Sequence, residues 1–302
     1  MIKIIDLFFA ARPFLHLPIW SVYFMALIIA GGRSSDLTWW DGLALLSLSM
    51  TAAGAFFLNQ LYDIESDRIN KKLGFLQRGF LTSGQMQAGY LILTLCGLIG
   101  AGLVSMLFLT LTALQVTLGY CYSAPKLKFK DRPLAGLVTN AVSFGLLIPL
   151  AAAAVRQVCF HAVDWQLGLY FFLTVASMHT LTTIPDRAGD AAADKRTIGV
   201  ILSFRSAVMT ALVLVGLSIY PAVMVGDVAL LSLSVISALV TFIALLVKRE
   251  RLILLAAKLP LALLTLFAGY HYPYYLLFIV ALLFLTRIYY RQRFSQTYPK
   301  LA

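Results

Sequence analysis

Two short polar segments, one near residue 60 and one near residue 190, interrupt an otherwise apolar chain. In each segment three oxygen-bearing side chains recur every fourth residue: Asn59, Asp63 and Asp67 in the first, Asp186, Asp190 and Asp194 in the second. Residues four apart stack along one face of a helix, so each segment predicts a row of oxygen ligands about two turns long. Oxygen ligands of this kind suit a hard divalent cation.

Mg²⁺ is the predicted metal because it prefers oxygen ligands and is commonly held by one or two carboxylates together with substrate phosphates. A diphosphate bridging the ions would relieve the repulsion between the acids. Three cations adjoin the acids and are predicted to grip that anion: Arg68, Lys195 and Arg196. Asp194 has two open roles, as a metal ligand or as an ion-pair partner of the neighbouring cations. Glu65 points away from the Asp63 face and is interpreted as a surface acid.

A third polar segment, Tyr122 to Pro133, lies between the two acidic ones and carries lysines at alternate positions. Pro125 is expected to end the preceding helix there. The lysines are open to two interpretations, a solvated strip facing the membrane or a phosphate site, and Lys128 is predicted to bind diphosphate. Tyr122 is equally open between an interfacial role and a site role.

The composition predicts that long helices position these segments. The chain of 302 residues is 61% hydrophobic and 12% charged, whereas soluble domains run near ~25% charged. Ten apolar runs approach the ~20 residues that cross a bilayer as a helix. The run from Leu252 to Ala268 contains Lys258 and Pro260 and is open to being a half-span. We therefore expect an all-α, polytopic membrane bundle.

Basic residues predict the orientation, because Lys and Arg in short loops stay on the cytoplasmic side. They cluster at the N-terminus and in the loops after the second, fourth, sixth and eighth runs, so both acidic segments are expected to face the cytoplasm at the cell membrane. A basic C-terminal tail on the same side favours ten crossings. The net charge of +11 is accounted for by anionic lipid headgroups, and no nucleic-acid partner is expected.

These segments resemble the UbiA superfamily of intramembrane prenyltransferases. Its first motif, Asn-x-x-x-Asp-x-x-x-Asp, matches the segment at Asn59. Its second, Asp-x-x-x-Asp followed by a basic pair and Thr, matches the segment that begins at Asp186 and ends at Thr197, and a Tyr-Ser-x-Pro motif matches Tyr122 to Pro125. The resemblance covers essentially the whole chain.

The resemblance implies a nine-helix bundle, and we expect one domain, residues 1–302. The long charged loops are expected to form a cytoplasmic cap near 64–85, 123–133 and 185–205. It implies Mg²⁺-dependent transfer of an isoprenyl group from a polyprenyl diphosphate to a membrane-accessible acceptor. Four acids would be catalytic: Asp63, Asp67, Asp186 and Asp190. The metal ligands would be these four with Asn59 and Asp194. The diphosphate would contact Asn59, Arg68, Tyr122, Lys128, Lys195 and Arg196.

The chain departs from the family pattern at three places. Gln60 stands where many members have Asp, the loop that contains Arg78 lacks the common Arg-Pro-x-Pro-Ser-Gly sequence, and Asp194 replaces a common Gly. The acceptor stays open among aromatic quinone precursors, tetrapyrrole acids and other lipids.

A cation- or proton-coupled transporter is the alternative from another class, since acids inside membranes also mark ion pathways. Transporter sites usually lie near the bilayer midplane, whereas these acids are predicted at helix ends.

Overall fold

The computed structural model describes residues 2–31, 36–69 and 74–299, and these ranges contain helices and loops without any strand. The predicted all-α class is confirmed. The side chain of Glu65, together with Lys71 and Lys72, lies outside the described part.

Sixteen α-helices follow one another in the described ranges, numbered in chain order. They are α1 Ile2–Ala10, α2 Leu17–Ile29, α3 Trp39–Tyr62, α4 Ile64–Ile69, α5 Ser83–Val104, α6 Met106–Ser123, α7 Pro133–Asn140, α8 Leu147–Ala154, α9 Ala162–Thr182, α10 Arg187–Ala192, α11 Ile198–Ile201, α12 Phe204–Leu217, α13 Ile219–Val225, α14 Val228–Val247, α15 Glu250–His271 and α16 Pro273–Phe294. A 3₁₀ turn joins α1 to α2, and a π-helical turn, Ala141–Leu146, joins α7 to α8.

Nine helical segments of the described chain are long and apolar enough to cross a membrane, which confirms the polytopic bundle. They are Lys3–Ile29, Trp39–Tyr62, Ser83–Val104, Met106–Ser123, Pro133–Ala154, Phe204–Val225, Val228–Val247, Glu250–His271 and Pro273–Phe294. The helix α15 is 22 residues long and continues through Pro260, so it is a full span rather than a half-span.

A tenth long helix, α9, has 21 residues but is less apolar than those nine. It lies inside the bundle, where it contacts the π turn, α12 and α15. The polar residues that lower its hydropathy include Ser177 and Thr180, which are both buried and bond to backbone carbonyls. Burial against protein explains why this helix needs less apolar surface than one facing lipid.

Both ends of the described chain lie on one side of the bundle. Arg293 at the end of α16 forms an ion pair with Asp6 of α1 at 2.8 Å. Phe75, between α4 and α5, packs on Phe294. An even number of crossings brings the two ends together in this way, which agrees with ten bundle helices: the nine apolar segments and α9.

Glycines let the helices that carry the site pack closely. A Cβ on Gly97 of α5 would lie 2.9 Å from the backbone oxygen of Ser47 in α3. A Cβ on Gly145 of the π turn would lie 2.5 Å from the backbone oxygen of Phe171 in α9. These contacts hold α3 and the π turn, which carry the cavity described below, against rigid neighbours.

Candidate active site at one end of the bundle

The first acidic segment lies where α3 ends and α4 begins. Helical hydrogen bonds continue across the junction, because the Asp63 N–H donates to the Asn59 carbonyl at 3.0 Å and the Asp67 N–H donates to the Asp63 carbonyl at 2.7 Å. Residues spaced by four therefore still lie on one helical face, although α3 ends at Tyr62. Asp63 and Asp67 are both buried.

A lysine from the third polar segment contacts this row of oxygen atoms. The ammonium of Lys130 lies 2.6 Å from Asp63 Oδ1 and donates to Asn59 Oδ1 at 3.1 Å. Ser123, at the end of α6, also donates to Asn59 Oδ1, at 3.2 Å. Burial lowers the pKa of Lys130, while the neighbouring charge of Asp63 opposes that shift. The amide and carboxylate oxygens together therefore bind a cation.

The second acidic segment forms the short helix α10, with Asp186 at its N-cap. Asp190 is buried and accepts a hydrogen bond from the Thr197 hydroxyl at 3.2 Å. The helix stops before Asp194, which adopts a left-handed φ of 56°, and the Lys195 N–H bonds back to the Asp190 carbonyl at 2.9 Å. This is a helix C-terminus of the kind that usually places glycine at the left-handed position.

The expected third carboxylate of this row is therefore not stacked on the helical face. Asp194 is exposed, since the chain turns away one residue before it. A left-handed backbone is tolerated by Asp better than by most residues, which explains how Asp194 occupies a position that favours Gly.

Lys195 joins the two acidic segments. Its ammonium lies 3.9 Å from Asp63 Oδ1 and 4.0 Å from Asp131 Oδ1. The backbone adds a further link, because the Arg196 N–H donates to the Asp131 carbonyl at 3.0 Å. The two acidic segments and the loop after α6 thus meet at one end of the bundle, as the sequence predicts.

Other predicted site residues, for phosphate or for metal, are exposed. Lys128 has a left-handed φ of 42° and is exposed. Arg68, Asp186 and Arg196 are also exposed. Their roles stay predictions.

A cavity of about 240 Å³ extends from the cluster into the bundle. The described residues that line it come from α3, α6, the α7 and π-turn region, and the turn before α2. They are Arg12, Thr51, Ala52, Ala55, Phe56, Asn59, Gln115, Val116, Gly119, Tyr122, Ser123, Thr139, Asn140, Ser143 and Phe144. Asn59 and Tyr122 belong both to the predicted site and to the cavity, so the acidic cluster lies at its mouth.

Sequence reasoning did not select Lys130, Asp131 or Arg12 for the site. Lys130 was one of three alternating lysines, and spacing alone does not tell which of them folds inward. Asp131 lies between Lys130 and Arg132, and Arg12 precedes the first apolar run, so neither pattern marks a site. Only the packing of the loop after α6 against the end of α3 and the segment after α10 brings Lys130 to Asp63 and Asp131 to Lys195.

The residues present fit Mg²⁺, since the Lys130 ammonium shows that Asn59 and Asp63 already hold a cation between them. Among the described residues, no three His, Cys, Asp or Glu side chains converge on one point. Mg²⁺ does not require three, because it is commonly bound by one or two carboxylates together with substrate phosphates.

The fold and the site define a polytopic membrane protein with an acid-and-lysine cluster at the mouth of an intramembrane cavity. The model of the UbiA prenyltransferase family matches residues 19–252. The chain belongs to this family.

Two curated relatives show the range of related sequences. A lycopene elongase/hydratase of Corynebacterium glutamicum is 28% identical over 188 residues, covering 59% of this chain and 63% of the relative. A digeranylgeranylglyceryl phosphate synthase of Sulfurisphaera tokodaii is 26% identical over 163 residues, covering 52% of this chain and 56% of the relative. The matched parts thus span less than two thirds of either relative.

A UbiA homolog from Archaeoglobus fulgidus has the same fold. It superposes with a TM-score of 0.70 at 19% identity, covering 91% of this chain and 99% of the homolog. The same homolog bound to GPP and Mg²⁺ superposes with a TM-score of 0.67 at 18% identity, covering 85% and 98%.

Proposed function

We propose that the protein transfers an isoprenyl group from a polyprenyl diphosphate to a membrane-accessible acceptor, with Mg²⁺ as cofactor. The observation that carries this proposal is the position of the acid-and-lysine cluster, at the mouth of a cavity that reaches into the apolar bundle. The diphosphate head would bind to the cluster, and the carbon that it leaves would lie at the entrance of a cavity whose walls keep water out. The Archaeoglobus fulgidus homolog bound to GPP and Mg²⁺ supports the same pairing of ligands.

Different residues of the chain would bind the metal and the diphosphate. Asn59, Asp63 and Asp67 would hold metal from one side, and Asp186 and Asp190 from the other. When bound, Mg²⁺ neutralises charge on the departing diphosphate. Lysines within the cluster, Lys130 and Lys195, would turn from Asp63 to phosphate oxygens, with Arg68, Tyr122, Lys128 and Arg196 in reach of the same anion.

The transfer breaks the bond between the allylic carbon and the diphosphate oxygen, and the electron pair leaves with diphosphate. The acceptor supplies an electron pair to the carbon and releases a proton to water or to the departing anion. Developing positive charge on the carbon would be captured by water in an open site. The apolar walls of the cavity, including Ala55, Phe56 and Phe144, exclude that side reaction.

Cap loops near residues 64–85, 123–133 and 185–205 would contribute to the same closure. In the described part of the chain, the bond from the Arg196 N–H to the Asp131 carbonyl joins the second of these loops to the third. We place the cluster on the cytoplasmic side of the cell membrane because the basic loops surround it.

Purified protein in lipid nanodiscs, given labelled geranylgeranyl diphosphate, Mg²⁺ and a total lipid extract, tests the function. Release of diphosphate with formation of a heavier labelled lipid is the expected result. Ion flux through proteoliposomes, with neither product formed, would instead establish the transporter and reject the enzyme.

A further inference from the structure

The deep part of the cavity is lined by neutral polar side chains rather than by hydrocarbon alone. Thr51 lies eight residues before Asn59 on α3, a distance of about 12 Å along a helix axis. Gln115 lies seven residues before Tyr122 on α6, and Ser143 lies in the π turn. Polar groups thus reach well below the acidic cluster, on three different helices.

The Thr51 hydroxyl donates to backbone carbonyls of its own helix. Three other lining side chains keep hydrogen-bonding capacity that the described part of the protein does not use. Gln115 is 9% exposed, and its one hydrogen bond among the described residues is a long one, 3.5 Å from Nε2 to the Ser143 carbonyl. Ser143 and Thr139 are buried as well, and no bond of their hydroxyl groups is present in the described part of the chain. All three line the cavity.

A prenyl tail has no polar atoms that could form hydrogen bonds with these side chains. An apolar chain packed on them would leave them unpaired, and each unpaired buried polar group costs about 1–3 kcal/mol. π-helical turns are rare in proteins, and those that occur are often found at functional sites. The turn at Ala141–Leu146 lies where Ser143 and Phe144 enter the cavity.

The charge distribution in the cavity separates neutral ligands from anionic ones. Arg12 is the one charged side chain among the described lining residues. It lies at the mouth, because the carbonyl of nearby Ala10 accepts a hydrogen bond from Gln60, next to Asn59. An anion bound beside Gln115 would have no cation to pair with, and burying an unpaired charge is strongly unfavourable.

We propose that the deep part of the cavity binds a neutral hydroxyl or carbonyl group of the acceptor, and that Gln115 determines this specificity by hydrogen bonding to it. The inference rests on the proposed function, because it assigns the cavity to the acceptor. Ser143 and Thr139 offer further donors and acceptors to the same oxygen. Acceptors whose only polar group is a carboxylate or phosphate are disfavoured at this depth.

Equilibrium binding to two probes of matched shape, 1-naphthol and 1-naphthoate, tests the proposal. Purified protein in nanodiscs is used without Mg²⁺ or diphosphate, and partition into empty nanodiscs is subtracted. We expect 1-naphthol to bind at least tenfold more tightly than 1-naphthoate. Equal binding, or tighter binding of the anion, would overturn the proposal.

Substitutions then locate the contact. Gln115→Leu should weaken 1-naphthol binding about tenfold and leave 1-naphthoate unchanged, and Ser143→Ala should weaken it less. Gln166→Leu on α9 removes a glutamine outside the cavity and should have no effect. Should Gln115→Leu fail to fold, Ser143→Ala and Thr139→Val carry the test, and folded variants that bind 1-naphthol normally reject the assignment.

Competition with the donor distinguishes this inference from the proposed function. Geranylgeranyl diphosphate with Mg²⁺ should leave 1-naphthol bound, whereas displacement would assign the cavity to the donor chain and reject the acceptor assignment. The binding assay needs neither metal nor diphosphate. A preference for 1-naphthol that depends on Gln115 would therefore support the inference even if no prenyl transfer were detected. Prenyl transfer by a protein that shows no preference for 1-naphthol would support the proposed function and reject the inference about Gln115.

Discussion

The two ends of α3 each carry a buried carboxylate beside a cation, but the two carboxylates are held in different ways. Asp41 accepts hydrogen bonds from the backbone and hydroxyl of Thr38, both at 2.8 Å, from the Tyr23 hydroxyl at 3.1 Å and from Arg156 at 2.8 Å. Asp63 at the other end faces the ammonium groups of Lys130 and Lys195 at 2.6 and 3.9 Å.

Under the proposed function, this difference separates a structural acid, Asp41, from one that takes part in the reaction, Asp63. Four donors from fixed elements saturate Asp41, so it locks the start of α3 in place. Lysine is a point charge on a flexible stem and can move to another anion. A carboxylate paired with lysine can therefore exchange its cation, which is what a metal and diphosphate site requires.

The largest expected effect follows from removing the negative charge of Asp63. Asp63→Asn should lower prenyl transfer by at least about a thousandfold, or roughly 4 kcal/mol, because stabilisation of the developing charge is lost. The melting temperature should change little. Transfer and melting are measured on the same purified sample, and a variant with full turnover would remove Asp63 from the site.

Asp41→Asn should give the opposite pattern. The unfolding free energy should fall by about 2–3 kcal/mol, below the usual range for a broken buried pair because Arg156 is partly exposed. Turnover of the remaining folded protein should stay within about twofold. A large loss of turnover at unchanged stability would show that the two ends of α3 are not functionally separate.

Lys130, which contacts Asp63, and Lys128, which is exposed, allow a further comparison. Lys130→Met should raise KM for the prenyl diphosphate about tenfold, which is near 1.4 kcal/mol, because a buried partner of the phosphate is lost. Lys128→Met is the matched control and should change KM less than threefold. A greater effect at Lys128 would favour the assignment made from the sequence and require the loop to rearrange on binding.

The smallest effect is expected in the cap loops. Trypsin cleavage after the exposed Arg196 should slow about threefold with Mg²⁺ and diphosphate together, and less with Mg²⁺ alone, since charge-assisted bonds to phosphate would order the loop. Cleavage near Lys248 and Arg249, which are also exposed, serves as the internal control. Unchanged cleavage at Arg196 under saturating ligand contradicts the cap. Cleavage after Lys71 and Lys72 is expected to slow in the same way, although these two residues lie outside the described part of the chain.

Much of the architecture is determined by the sequence itself. Hydrocarbon length and backbone hydrogen bonding permit only helices in long apolar runs, so the spans could be read directly. Fourth-residue spacing placed Asn59, Asp63 and Asp67 on one helical row, because the helical bonds continue through the end of α3. That local geometry depends on few neighbours.

Other features were decided by tertiary structure. The sequence spacing put Asp194 in line with Asp190, but the left-handed turn at the end of α10 removes it from the row. Alternating lysines were equivalent until the packing of the loop after α6 turned Lys130 inward and left Lys128 exposed. Gln115 and Ser143, 28 residues apart, meet only because two helices cross at the cavity. Contacts of this kind depend on how separate elements pack, and no local pattern in the chain encodes that packing.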